Sequence, residues 1–279
     1  MPFLRKKIFY DTQVITYALA GRIPPSAWKL VSQYVSARCR YCVSLNTLTE
    51  LVVGLARGDD SHFTENANRV RFLCSAPKAV FLPLVGEFVR TRVFHESPRR
   101  PDYSHDQIKL WPRIIMKARD KRELTAGLVS LPEPGRSGID YGFNLDMLVR
   151  QVQSGKDAHA RALNDLRTGT LRRPTQQQWA AGVLHNLQIR FTNSNVASLC
   201  SALDAVYQYD SSLYDLAQSN SYDFSKHDSD WLDSQQLYYL ADPSVFLVTF
   251  DSKIKVRTTK SSQFSRILGF EELKALARR

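Results

Sequence analysis

The stretch Asp228–Asp251, DSDWLDSQQLYYLADPSVFLVTFD, decides how the rest of the chain is read. It opens on spaced carboxylates and continues as a run of helical character, Trp231–Leu240. Asp242-Pro243 breaks that run, because proline has no N–H to donate and restricts the residue before it. Val245-Phe246-Leu247-Val248-Thr249 follows with high strand propensity, and Asp251 stands just beyond it. The expected unit is a helix, a turn and a strand, with one carboxylate at the helix start and another past the strand's carboxyl end. In open α/β sheets ligands gather outside those strand ends, so carboxylates placed there are candidate metal ligands.

Working outward, the N-terminal part repeats the same grammar. Lys6–Asp11 reads as a strand ending on an acid, and Val14, Ile15, Ala18 and Leu19 then recur at helical spacing until Gly21. Pro24-Pro25-Ser26 starts a second helix, Tyr41–Leu45 is a second strand, and a helix from Asn46 to Gly58 carries Glu50 on its first turn. Another helix is expected over Asp59–Leu73, and a third strand over Ala79–Pro83. Strands alternating with helices predict a parallel sheet covered on both faces. Ile267–Ala277 reads as a last strand-to-helix passage.

Between about 85 and 225 the pattern changes. Helical segments are expected at Val85–Phe94, His105–Thr125, Asp140–Leu166, Gln176–Arg190 and Val196–Ala217, with one ambiguous run at Leu187–Phe191. The fold class expected is therefore an α/β domain, formed by 1–84 and 226–279, interrupted by a mostly helical insertion subdomain over 85–225.

Composition sets the outer bounds. The 279 residues are 43% hydrophobic and 23% charged, which describes a globular chain and not a disordered one. No apolar run approaches the roughly 20 residues of a membrane helix, the N-terminus lacks the apolar core of a signal peptide, and four cysteines make no disulfide framework. A cytoplasmic protein with no membrane partner is expected. The net charge of +11 favours a polyanionic partner, nucleic acid first among them. Residues 1–84 carry 11 basic and 5 acidic side chains, so acids set aside for a metal would leave strongly basic ground around them.

Four acids fall where strand ends or adjoining helix turns are expected: Asp11, Glu50, Asp233 and Asp251. Converging carboxylates repel unless a cation neutralises them, and Mg²⁺ or Mn²⁺ is the hard cation that oxygen ligands favour. Alternatives stand beside this reading. Thr47-x-x-Glu50 is also a capping box, in which Glu50 serves only backbone donors. Asp230, one turn before Asp233, is either an N-cap or a fifth ligand. His227 is a base or a loop histidine, and Asp228 a loop acid. Cys39-x-x-Cys42 has half the spacing of a zinc site but no second close pair, and no HExxH occurs. The glycine-rich stretches Gly54–Gly58 and Gly135–Gly138 lack the lysine and the strand-to-helix context of a phosphate loop. In the central segment, Arg113, Lys117, Arg119, Lys121 and Arg122 form a dense basic region that either contacts phosphates or is a solvated face. Trp111 and Trp179 are candidates for stacking on bases.

Three pieces of the chain resemble the PIN-domain nucleases, a family that includes toxins of toxin–antitoxin pairs and RNA-processing endonucleases. They are Phe9-Tyr10-Asp11 leading into a helix, Leu48-Thr49-Glu50-Leu51 followed by Gly54, and Asp233 through to Leu247-Val248-Thr249-Phe250-Asp251. The resemblance implies a PIN-like three-layer fold with Asp11, Glu50, Asp233 and Asp251 as metal-binding acids, and Thr249 hydrogen-bonding within the site. It further implies an Mg²⁺- or Mn²⁺-dependent nuclease with nucleic acid as partner, RNA ahead of DNA, and it admits an inhibitory protein partner or a homo-oligomer. The alternative is a PIN-fold module that binds nucleic acid or protein with little catalysis. The resemblance covers about 4–84 and 226–279; the long central segment departs from it.

Overall fold

The computed structural model describes residues 5–57, 60–75, 79–96, 115, 117–129, 145–223 and 229–279. Its centre is an all-parallel five-stranded sheet built from β1 (Lys7–Tyr10), β2 (Arg40–Ser44), β3 (Val80–Leu82), β4 (Val245–Thr249) and β5 (Ile267–Gly269), in the order β3-β2-β1-β4-β5. Parallel neighbours need crossovers: α1 (Thr12–Leu19) and α2 (Pro25–Arg38) join β1 to β2, α3 (Leu45–Arg57) and α4 (Asp60–Cys74) join β2 to β3, and the terminal helix Phe270–Ala277 follows β5. Pro25 sits at the first position of α2, where a missing N–H costs nothing.

Strand side chains alternate between two cores. Ile8, Tyr10, Val43 and Val248 face the first, with α1 to α4 and the terminal helix. Phe9, Cys42, Leu82, Val245, Leu247 and Ile267 face the second. The central segment covers this second face. Leu163, Trp179, Leu184, Leu199, Val206, Tyr209 and Leu213 all pack into the same cluster as Phe9 and Leu247. Burial on both faces explains why the strands read as continuous apolar runs.

The central segment differs from expectation in three places. A continuous helix over Val196–Ala217 is instead two, Asn193–Ala202 and Asp204–Gln218, parted at Leu203. The second starts where the Gln263 side chain reaches in: its Oε1 accepts the Ala205 amide at 2.9 Å, and its Nε2 donates to the Ala202 carbonyl and to the Leu240 carbonyl at 3.1 Å. A long-range side-chain cap of this kind has no local sequence signal. Leu187–Phe191 is not a strand: Gln188 has φ of 53° and turns the chain so that Ile189 is buried. The helix expected over His105–Thr125 is described only from 115 onward, where it restarts at Lys121 with Asp120 accepting the Glu123 amide at 2.8 Å. The helix expected over Asp140–Leu166 is found as Leu145–Arg167.

The opening stretch folds as read. Asp230–Leu237 is helical, Tyr238–Ala241 tightens to a 3₁₀ turn ahead of Pro243, and β4 follows. Among the described residues no helix is long and apolar enough to cross a membrane.

Candidate functional site

In the order β3-β2-β1-β4-β5 the chain leaves β1 toward β2 and β3, then returns on the other side of β1 as β4. The β1/β4 boundary is thus the point where the winding reverses, and its carboxyl edge is the crevice such sheets offer to ligands. The Asp11 amide donates to the Val248 carbonyl at 3.0 Å, so the residue after β1 is locked to the end of β4.

Asp11 is 4% exposed. The Thr249 hydroxyl donates to its Oδ2 at 2.7 Å and the Gln236 amide to its Oδ1 at 3.4 Å. Burial pushes its carboxyl above the ordinary range, the Thr249 and Gln236 hydrogen bonds pull it down, and the charge of Asp251 pushes it up. Thr249 also accepts the Asp251 amide at 2.8 Å. One buried hydroxyl therefore ties two of the expected acids together, the positioning role expected for Thr249. Asp251 is partly buried and caps the short helix Ser252–Arg257, accepting the Lys253 amide at 2.7 Å.

Glu50 enters from α3. Its carboxylate accepts the Thr12 hydroxyl at 2.7 Å, and Ser44 holds the helix start by accepting the Asn46 and Thr47 amides at 3.1 and 3.3 Å. The capping-box alternative therefore does not describe Glu50: its acceptor capacity is turned toward the residue after Asp11. Burial pushes its carboxyl up to about 7, against the Thr12 hydrogen bond; the charge of Asp11 raises it, and Lys156 and Arg69 lower it.

Asp233 lies buried on the first turn of its helix, with the Tyr209 hydroxyl 3.4 Å and the Ser229 hydroxyl 3.5 Å away. Burial, followed by repulsion from Asp11, Asp251, Glu50 and Asp230, holds its carboxyl well above the usual range. Repulsion of this kind means that these acids lie within electrostatic reach of Asp233. Even so, the side chains do not close on a point: among the described residues no group of three or more His, Cys, Asp or Glu stands in a metal-holding arrangement. The donor set is oxygen-only, buried and repulsive. These properties fit a hard divalent cation, which would supply a Lewis acid and a more acidic water.

Asp230 has different company from that expected of a fifth ligand. It is fully buried and paired with Arg257 at 3.0 Å. The Tyr209 and Tyr222 hydroxyls lie 3.2 and 3.1 Å from its two oxygens. With both oxygens engaged, it anchors the helix that carries Asp233. Arg257 also donates to Tyr209 at 2.8 Å, so cation, phenol and carboxylate form one network under Asp233.

The remaining candidates are not drawn in. Lys117, Arg119, Lys121 and Arg122 are exposed and do not line the cleft beside Glu50; Arg113, Trp111, His227 and Asp228 lie outside the described residues. Trp179 is buried with its indole N–H donating to Asp210 at 3.1 Å, which removes it as a stacking platform. Cys39 and Cys42 belong to opposite cores and make no pair. Conversely, Thr12, Arg69 and Lys156 line the cleft around Glu50, although no motif in the sequence marks them. Gln236 and Tyr209 were equally silent. The one available signal was helical spacing, which puts Gln236 one turn after Asp233.

Comparison with protein-family models, with curated proteins and with solved structures returned no match.

Proposed function

We propose that this chain is a metal-dependent endonuclease of PIN-like architecture that hydrolyses phosphodiester bonds, in RNA ahead of DNA. The observation that carries the reading is the position of Asp11 and Asp251 just past the ends of β1 and β4, bridged by the Thr249 hydroxyl, with the charges of Asp11, Asp251 and Glu50 adding to the burial that raises the Asp233 carboxyl. A fold gains nothing from burying repelling carboxylates together unless a cation offsets them. Asp11, Glu50, Asp233 and Asp251 would hold an Mg²⁺ or Mn²⁺, which would supply a Lewis acid for the phosphoryl oxygens and a more acidic water. The chain's own residues hold that chemistry in place. Thr249 fixes the Asp11 carboxylate, and the Asp230–Arg257–Tyr209 network fixes the helix of Asp233. Glu50, with a carboxyl near 7, is able to exchange a proton at neutral pH when no cation is bound. The overall charge of +11 draws a polyanion toward the crevice.

A second reading is favoured by one observation: the side chains stand apart from a ligating geometry. On that reading the crevice binds nucleic acid or a protein without cleaving. Incubation with mixed RNA and single-stranded DNA, with Mn²⁺ or with EDTA and beside Asp11→Asn, separates the two. The nuclease reading expects cleavage that needs both Mn²⁺ and Asp11. Cleavage that survives EDTA and Asp11→Asn, or binding with no cleavage at all, overturns it.

A further inference from the structure

Beside the carboxylates lies a cleft of about 320 Å³, at the small end of ligand-binding pockets. Its walls include Thr12 on α1, Glu50 and Gly54 on α3, Asn66 and Arg69 on α4, Lys156 on the central helix Leu145–Arg167, and Leu232 on the helix Asp230–Leu237. We propose that this cleft is a subsite for a backbone phosphate of single-stranded RNA, held by Arg69 and Lys156 next to the scissile position. The proposal rests on the nuclease reading for its orientation, since it places the phosphate beside Glu50 and not on it.

The geometry supports an anion. Arg69 and Lys156 both line the cleft, so an oxyanion entering it faces a guanidinium and an ammonium. Arg69 donates to the Asn66 side-chain oxygen at 2.7 Å and is paired with Glu65, which hold the guanidinium on the α4 surface. These bonds use two of its five donors. A planar fork held in one orientation is the arrangement that recognises phosphate in two-point fashion, and a lysine opposite adds a point charge. The wall behind them is tight: a Cβ on Gly54 would meet the Asn66 amide nitrogen at 2.6 Å. Asn66 is buried, so Gly54 keeps the wall where Arg69 needs it. A phosphodiester carries one negative charge and suits both cations.

The test is binding of a fluorescent single-stranded RNA to the full chain in EDTA, across a salt series, for the parent protein, Arg69→Gln, Lys156→Gln and the exposed control Lys29→Gln. Each cleft substitution is expected to weaken binding about 3- to 10-fold and to lower the salt slope by about 0.7, the value for one phosphate contact on a single strand. Lys156→Arg is expected to restore both, which a loss of folding would not allow. Unchanged affinity and slope in Arg69→Gln and Lys156→Gln overturn the subsite, as does loss of the same size in Lys29→Gln. Separately, if Mn²⁺-dependent cleavage is absent while the cleft substitutions still weaken binding, the nuclease reading fails and the phosphate site stands.

Discussion

The Thr249 hydroxyl donates to Asp11 at 2.7 Å, joining the ends of two adjacent parallel strands that lie far apart in the chain. Because the same hydroxyl accepts the Asp251 amide, its single proton is committed to Asp11. The bond thus orients a carboxylate that burial alone would leave free to rotate, and it does so from a residue that is itself fully buried.

Thr249→Val keeps the shape and removes this bond. It leaves Asp11 short of its best donor, so stability is expected to fall by about 1–3 kcal/mol. Loss of an orienting partner of a candidate ligand is expected to weaken Mn²⁺ binding about 10- to 100-fold. Denaturant unfolding and calorimetric titration read the two effects separately.

Arg257→Ala leaves Asp230 buried without its cation. Breaking a buried pair from one side is expected to cost about 3–5 kcal/mol. Asp230→Asn in the same chain is expected to recover part of that loss, because the stranded charge is gone. Urea midpoints of the single and double variants measure the coupling, and strict additivity would contradict the paired arrangement.

Without metal, stability is expected to fall as pH rises from about 4.5 toward 7. The Glu50 carboxyl is raised from 4.5 to about 7 on folding, so between those values the native state binds more protons than the unfolded one. Asp11 and Asp233 are raised in the same direction. The difference between the parent protein and Glu50→Gln, measured in EDTA from pH 5 to 8, isolates the Glu50 contribution. Added Mn²⁺ is expected to stabilise more at pH 8 than at pH 5, since protons compete for the same oxygens.

Gly155→Ala tests whether the central segment is part of the site. A Cβ there would fall 2.4 Å from the Trp231 ring, on the helix that carries Asp233. Overpacking is expected to cost about 1–3 kcal/mol. If the helix is displaced, Mn²⁺ affinity is expected to fall with it, although Gly155 contributes no ligand atom.

Much of this was legible in the chain because it depended on local periodicity. The strand Val245–Thr249, the helix opening at Asp230 and the acids at their ends follow from propensity and from Pro243. What escaped depended on contacts between distant segments. Gln263 reaches back to cap a helix at Ala205, and Lys156 arrives at Glu50 from a helix that reads only as amphipathic. The central segment looked like a separate insertion because its sequence shows no convincing strand, yet its apolar faces pack into the second core with Phe9 and Leu247. Asp230 was ambiguous for the same reason: only the folded chain brings Arg257, Tyr209 and Tyr222 to it.

The proposed function requires Asp11, Glu50, Asp233 and Asp251 to hold a divalent cation together. Titrating Mn²⁺ into the metal-free protein, with free Mn²⁺ read by electron paramagnetic resonance, tests it most directly. The expected result is saturable binding that drops at least about tenfold in Asp11→Asn and in Asp233→Asn, with the fold intact by circular dichroism. Absence of saturable binding, or affinity unchanged by both substitutions, would contradict the account.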